Sequence, residues 1–424
     1  MNSSFFSAKS LAALGLVALV FAPWSPILLG WRLVAFVSGA WLTAVTARRI
    51  VLGRAALRRD ESPVPRAEGA RPALLVLVPA RNESGVLADL LGDLVSIDWP
   101  TQRRKIVVID DGSTDGTGEI AASFADRGVA VLRRAGAEAG RGKPAALNAA
   151  LASTDFGEWV YVVDADARVA PDAPARLVDA ANRVGAAAAQ GAMMVRNAGR
   201  SGAAAFAAME SLVHQDLTQL GAMRAGASVM LLGSNSMVRR DRLARFDGFR
   251  ENTRLEDVDL CVALQARGDA VVYEPEARST ILACEDAGDA RRQHRDWSSA
   301  FADIARRRWT EIWVGPLSFW RKVDLTLLAT GYLDRATLAL YALGLVAGWR
   351  ADAFVAPCFV LEAYLVVALA QVVWAKHRLA DAGMFVAWRD LVTMLARDAI
   401  DHAAANLGPA RSIDWRRTRR TSDE

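Results

Sequence analysis

Val107 to Thr117 reads VVIDDGSTDGT. An apolar β-forming run ends on two carboxylates, Asp110 and Asp111, and turns at once through Gly112 and Ser113. Ser113, Thr114 and Asp115 are the residue types that cap a following helix. A strand that hands over to a helix through so short a turn is the unit of a parallel α/β sheet. The same unit recurs on both sides. Leu74–Val78, Ala130–Leu132, Val160–Val163 and Ala270–Tyr273 read as further strands beside Ile106–Ile109, and Leu87–Ser96, Ala145–Leu151 and Ala173–Val184 read as the helices between them. The region from Ala73 to about Pro275 is therefore expected to be α/β, with a mainly parallel sheet. Ala203–Met223 is apolar enough to suggest a membrane span, but Glu210, His214 and Asp216 interrupt it, so a packed soluble helix is expected.

The flanks have a different character. Of 424 residues 53% are apolar, and the mean hydropathy is +0.16, yet 23% are charged, so greasy and polar territories share one chain. Two apolar runs, Phe5–Ala22 and Ile27–Ala47, are split by Pro23 to Pro26 and followed by Arg48, Arg49, Arg54, Arg58 and Arg59. Positive charge after the apolar run argues against a cleaved signal and for a membrane hairpin over residues 1–59 with both ends inside. Residues 60–72 are polar and Pro-rich, a linker. Arg306 to Lys322 (RRRWTEIWVGPLSFWRK) mixes aromatic and basic side chains, and residues 298–322 are expected to lie on the membrane surface. Leu325–Trp349 and Phe354–Ala375 read as a second hairpin over 323–375, closed on the inside by Lys376, His377 and Arg378. The tail, 376–424, is basic, and Met384–Leu407 is expected to be an interfacial helix. The expectation is an integral, multi-pass protein of the plasma (inner) membrane with its α/β domain in the cytoplasm. A net charge of +4 gives no reason to expect nucleic acid as partner. Cys261, Cys284 and Cys358 are too few and too scattered for a disulfide frame or a zinc site, consistent with a reducing compartment.

Chemistry is carried by short acidic and basic signals at the ends of strands, where ligands of parallel sheets collect. Asp164-Ala165-Asp166 follows the strand Val160–Val163 directly; two carboxylates so placed suit a hard cation such as Mg²⁺ or Mn²⁺, which would hold a diphosphate. Asp111 ends another strand and suits the ring or ribose of a nucleotide. Asn82 and Glu83, in VPARNE, stand at the same edge. Lys143 opens a helix, a natural phosphate position. Glu256 and Asp257, in LEDVDL, form a second acidic pair able to take a proton from a hydroxyl. Each signal alone is also what a capped turn, a solvated loop or an ordinary helix start would show.

Taken in order, PARNE, DDGSTDGT, GKPAALNAAL, DAD and LED resemble the motifs of family 2 glycosyltransferases with the GT-A fold. More narrowly, they resemble their membrane-bound branch, which includes poly-N-acetylglucosamine, cellulose and hyaluronan synthases and related glycolipid-forming enzymes. The resemblance implies a GT-A domain over 73–297. It also implies a nucleotide-sugar donor (a UDP-sugar first), a lipid or glycan acceptor, a divalent metal (Mg²⁺ or Mn²⁺), and inversion at the anomeric carbon. By the same resemblance Asn82, Glu83, Asp111, Lys143 and Asp164 bind the donor, and Asp164 and Asp166 the metal. Asp257, with Glu256, is the catalytic base, and Gln190, Gly233, Ser234 and Asn235 line the acceptor side. The branch ends its domain with Gln-x-x-Arg-Trp; here Gln293 to Trp297 reads QHRDW, so Gln293, Arg295 and Trp297 are candidate acceptor contacts and Asp296 stands where the arginine belongs. That departure leaves polymer synthesis in doubt. It also keeps open a catalytically impaired scaffold or partner and a transferase acting on a polyprenyl phosphate.

Overall fold

The computed structural model describes residues 26–58, 70–347, 355–381, 383–384 and 386–388. Eight strands form one sheet: β1 Leu74–Ala80, β2 Arg104–Asp110, β3 Val129–Arg133, β4 Trp159–Val162, β5 Arg168–Val169, β6 Ala188–Val195, β7 Ser236–Arg239 and β8 Val271–Ile281, in the order β3-β2-β1-β4-β7-β6-β8-β5. Side chains of β1 alternate between the two faces, as the pleat requires. Leu74, Val76 and Val78 enter one core with helices α2 (Leu87–Val95) and α5 (Ala173–Val184). Leu75 and Leu77 enter the other with α4 (Lys143–Ala152) and α9 (Glu256–Ala266). A short helix α3 (Thr117–Ala122) follows β2.

The sheet is mixed and, as expected, mainly parallel. Pairings β1–β2, β1–β4, β2–β3 and β6–β8 are parallel, whereas β4–β7, β6–β7 and β5–β8 are antiparallel. Three strands escape the sequence reading. β5 and β7 are short, and β6 (AAQGAMMV) carries almost no β-branched or aromatic residue. β8 runs on past Tyr273 to Ile281, its register against β6 broken between Gly191 and Ala192, where Pro275 interrupts the ladder. The parallel half places the carboxyl ends of β1, β2 and β4 side by side. The chain order reverses at β1, so the crevice there is the natural ligand position.

Ala203–Met223 is a packed element, as expected: α6 (Gly202–Leu212) widens into a π-helical stretch, Val213–Gln219, before α7 (Leu220–Ala225), and Ala204, Phe206, Met209 and Leu212 are buried. The second N-terminal apolar run is α1, Pro26–Ala56; the first lies outside the described residues. A boundary at residue 297 falls inside one continuous helix, α10 (Ala287–Val314), with α8 (Arg240–Leu243) earlier in the chain. Leu325–Trp349 is likewise not one span. Leu325, Leu328 and Ala329 sit in α11 (Phe319–Ala329), buried against Val258 and Val262 of α9 and Phe301 and Ile304 of α10, while Leu333–Ala347 forms a separate helix α12. Asp334, which interrupts that run, is neutralised within the protein by Arg49 at 2.6 Å, Arg335 at 3.1 Å and the Tyr364 hydroxyl at 2.8 Å. Tyr364 belongs to α13 (Val355–Asp381). Among the described residues two helices are long and apolar enough to cross a membrane, Gly30–Ala56 (mean hydropathy 1.3) and Phe359–Asp381 (mean hydropathy 1.6). Both expose large apolar side chains, among them Phe36 and Phe359. Most of Met384–Leu407 and of the tail lies outside the described residues.

Candidate active site

The turns after β1 and β2 are latched to each other. Asn82, at φ 56° in the left-handed region, accepts the Thr114 N–H at 2.8 Å through Oδ1, and its own N–H donates to Ser113 Oγ at 3.0 Å. The Glu83 N–H donates to Thr117 Oγ1 at 2.8 Å. Asn82 and Glu83 thus shape the edge. Asp111, buried at the end of β2, accepts from Arg134 Nη1 at 2.5 Å and from the Gly140 N–H at 3.1 Å. Arg134 is itself buried, and nothing in the sequence spacing marks it out.

A second group gathers at the end of β4. Lys143, opening α4 beneath Pro144, donates to Asp164 Oδ1 at 2.6 Å and to the Gly233 carbonyl at 2.7 Å, and its Nζ lies 3.7 Å from Glu256 Oε1. Burial opposes charge on this ammonium, yet Asp164, Glu256 and Asp257 together hold its pKa above the ordinary lysine value. Gly233 (φ 72°) carries no Cβ where one would lie 3.0 Å from Asp257 Oδ2 and 3.1 Å from Lys143 Nζ, so both groups close on this backbone. Glu256 and Asp257 sit in the first turn of α9, where the helix dipole favours carboxylates. Burial first, and the Glu256 carboxylate second, push Asp257 up to about 7, with Lys143 pulling the other way. Burial also raises Glu256, again against Lys143.

Behind this group stand three residues expected to face an acceptor. Gln190 is fully buried. It accepts the Leu232 N–H at 2.8 Å and donates to the Gly191 and Ser234 carbonyls at 2.8 and 3.0 Å. Asn235 is fully buried too, at φ 46°, donating to the Ala192 and Ala277 carbonyls and accepting from the Tyr161 hydroxyl at 2.7 Å. Ser234 Oγ accepts the Asp164 N–H at 2.9 Å. The polar groups of Gln190 and Asn235, expected on the acceptor side, are engaged inside the protein, where they brace the loop that carries Gly233. This backbone bonding left no trace in the sequence.

The QHRDW segment lies on α10. Asp296 pairs with Arg254, two residues before Glu256, so the arginine missing from the motif position is met by one arriving from the LED segment. Trp297 stacks on His294 (centroids 5.3 Å apart, 24° between planes), and His294 Nε2 lies 3.3 Å from Glu210. Gln293 accepts from Cys284 Sγ at 3.4 Å, and Arg295 is half-buried.

Asp166 is buried, with Oδ2 accepting the Leu282 N–H at 3.3 Å and its carbonyl accepting from Arg196 at 2.7 Å. Among the described residues no three metal-ligating side chains converge. A cation at Asp164 and Asp166 would take one or two carboxylates from the protein and complete its shell with phosphate oxygens and water, the habit of Mg²⁺ with nucleotides.

Comparison with known proteins agrees with this geometry. The chain is 34% identical over 203 residues to a beta-monoglucosyldiacylglycerol synthase of Nostoc sp., covering 46% of this chain and 42% of that protein. It is 25% identical over 251 residues to a poly-beta-1,6-N-acetyl-D-glucosamine synthase of Staphylococcus epidermidis, covering 58% of each. The chain thus spans about half the length of these curated relatives. Among solved structures, a mannosyltransferase from Pyrobaculum calidifontis in complex with GDP-Man and Mn²⁺ shares the fold, with TM-score 0.61 and 21% identity over 89% of this chain and 99% of that one. The sequence model described as Glycosyl transferase family 2 matches residues 75–244, from β1 through β7. Residues 75–244 are thus similar to family 2 glycosyltransferases, on a GT-A-like fold.

Proposed function

We propose that the protein transfers a sugar from a nucleoside diphosphate donor, a UDP-sugar first, to a hydroxyl of a membrane lipid, with inversion at the anomeric carbon. One observation carries this reading: Lys143, Asp164, Glu256 and Asp257 converge on the Gly233 backbone at the carboxyl edge of the sheet. A cation beside two carboxylate layers is what a departing diphosphate and an incoming hydroxyl need on opposite sides of one carbon. Asp257 takes the proton of the acceptor hydroxyl; the oxygen attacks the anomeric carbon; the bond from that carbon to the diphosphate breaks, and the electron pair leaves with the nucleotide. Lys143 offsets the charge that grows on the leaving group. A divalent cation at Asp164 and Asp166 supplies Lewis-acid stabilisation of the same diphosphate when bound. The name of the Nostoc relative supports a lipid acceptor, and the Mn²⁺ of the Pyrobaculum enzyme supports the metal. The basic ends of the candidate spans favour a cytoplasmic domain at the plasma membrane.

The test is product analysis. Labelled donor incubated with purified protein, diacylglycerol vesicles and Mn²⁺ should give a labelled lipid in the organic phase, with the anomeric configuration opposite to the donor's by NMR. Chelation should stop the reaction, and Mg²⁺ or Mn²⁺ should restore it. Label that stays water-soluble as a long polymer, or retained configuration, rejects the reading.

A further inference from the structure

The strip Ser228 to Leu232, between α7 and β7, lies outside every helix and strand, yet side chains meet its backbone polar groups one after another. The Ser228 N–H donates to Asp324 at 2.6 Å, and its carbonyl accepts from Arg48 at 3.4 Å. On α9, one turn after Asp257, Cys261 accepts the Leu231 N–H at 3.4 Å and donates to the Val229 carbonyl at 3.2 Å. Gln265 donates to the same carbonyl at 2.9 Å, and Gln190 takes the Leu232 N–H.

The centre of the strip belongs to one residue. Gln219 accepts the Met230 N–H at 3.0 Å and donates to the Met230 carbonyl at 2.7 Å. A primary amide offers its acceptor and donor side by side, so the pair fixes both distance and tilt. Gln219 is 1% exposed, and water does not compete for either bond. Its direction follows from the π-helical stretch Val213–Gln219, which it ends. Each residue of an α-helix advances about 100°, so the extra residue of a π turn swings the following side chains by about that angle. Beyond it the helix cannot slide: a Cβ on Gly221 would lie 2.2 Å from the Leu52 carbonyl oxygen of α1. Three residues after Met230, the Gly233 carbonyl accepts from Lys143 at 2.7 Å, and the same ammonium reaches Asp164 and lies 3.7 Å from Glu256. The carbonyl holds the ammonium, and Gln219 holds the strip that carries the carbonyl.

We propose that Gln219 is a positioning residue for sugar transfer: by binding both polar groups of Met230 it sets the place of the Gly233 carbonyl, and through that carbonyl the place of Lys143 among the carboxylates. It acts through the backbone alone. The inference deepens the transfer reading and rests on it for its kinetic readout only.

Full-length Gln219→Met keeps the length and bulk of the side chain and deletes both bonds. An ammonium held by carboxylates keeps its proton and resists acylation. In resting protein without donor, acylation of Lys143 by an N-hydroxysuccinimide ester, followed on its peptide by mass spectrometry, is expected to run severalfold faster than in the wild type. In turnover, kcat is expected to fall about 10–10²-fold, the scale of a misplaced group, and the acid limb of the pH–rate profile to move to higher pH. Lys143 favours the ionised form of Asp257, so loosening it raises the pH at which the base ionises. A residue that only fills space would lower the melting temperature and leave that limb in place. Gln219→Glu keeps an acceptor for the Met230 N–H; it is expected to fall between the two and replaces Gln219→Met if that variant does not fold. Wild-type acylation of Lys143 in the folded variant overturns the proposal whatever the enzyme transfers, and an unmoved limb overturns the link to catalysis. Faster acylation beside a wild type that releases no nucleotide would reject the transfer reading and leave the clamp standing.

Discussion

Asp257 is held near neutrality by burial and by its neighbour Glu256, and this gives a pH signature. A general base works only when ionised, so with a pKa of about 7 the transfer rate falls as pH drops below about 7, by about tenfold per unit on the far acid side. A rate flat from pH 8 to pH 5 would assign the base elsewhere. Lys143→Met removes the one cation among Asp164, Glu256 and Asp257; the expected loss is about 10²–10³ in kcat, read with saturating donor. The variant also leaves three carboxylates facing one another, so its melting temperature is measured beside its rate. Asp164 was legible because its motif follows a strand directly, and Lys143 and Asp257 because each stands at the start of a helix. Arg134 was not, since a buried arginine bonded to Asp111 has no characteristic spacing.

At the scale of elements, the loop between α7 and β7 is held in place by side chains whose sequence neighbours say nothing of it. Gly191 faces Asn235: a Cβ there would lie 2.3 Å from Nδ2 and 2.5 Å from the Ala277 carbonyl. Gly191→Ala is expected to cost about 1–3 kcal/mol by overpacking, read as a lowered thermal midpoint, and to reduce activity by shifting the Gly233 loop. The pairing of Asp296 with Arg254 makes a second prediction. Restoring the usual motif residue by Asp296→Arg would set two guanidinium groups against each other and lower the rate. Adding Arg254→Asp should recover part of the loss in a double-mutant cycle; no recovery would mean the two residues act independently. The α/β alternation was readable from strand and helix periods, and every strand read that way is present. β6 was not, because an Ala- and Met-rich strand carries its stability in its position inside the sheet rather than in its composition.

For the whole molecule, the candidate membrane helices are continuous with the domain core. Leu52 of α1 is buried beside Ala222, and the backbone of Gly221 packs directly on the Leu52 carbonyl. Hydropathy marks Ile27–Ala47 as apolar but cannot tell that the last turns of the same helix belong to a soluble core, nor that Leu325–Ala329 does. Deleting residues 1–58 should therefore destabilise the catalytic domain rather than release it in soluble form, seen as aggregation or a lower melting temperature than the full chain in detergent. By the proposed mechanism this domain moves a sugar with Asp257 as its base. The most direct test is nucleotide release from a panel of UDP- and GDP-sugars, with full-length protein, membrane lipid extract and Mn²⁺, beside Asp257→Asn. The account predicts release with one donor that requires lipid, metal and Asp257. Equal release by the folded Asp257→Asn protein, or none from any donor by the folded wild type, would contradict it.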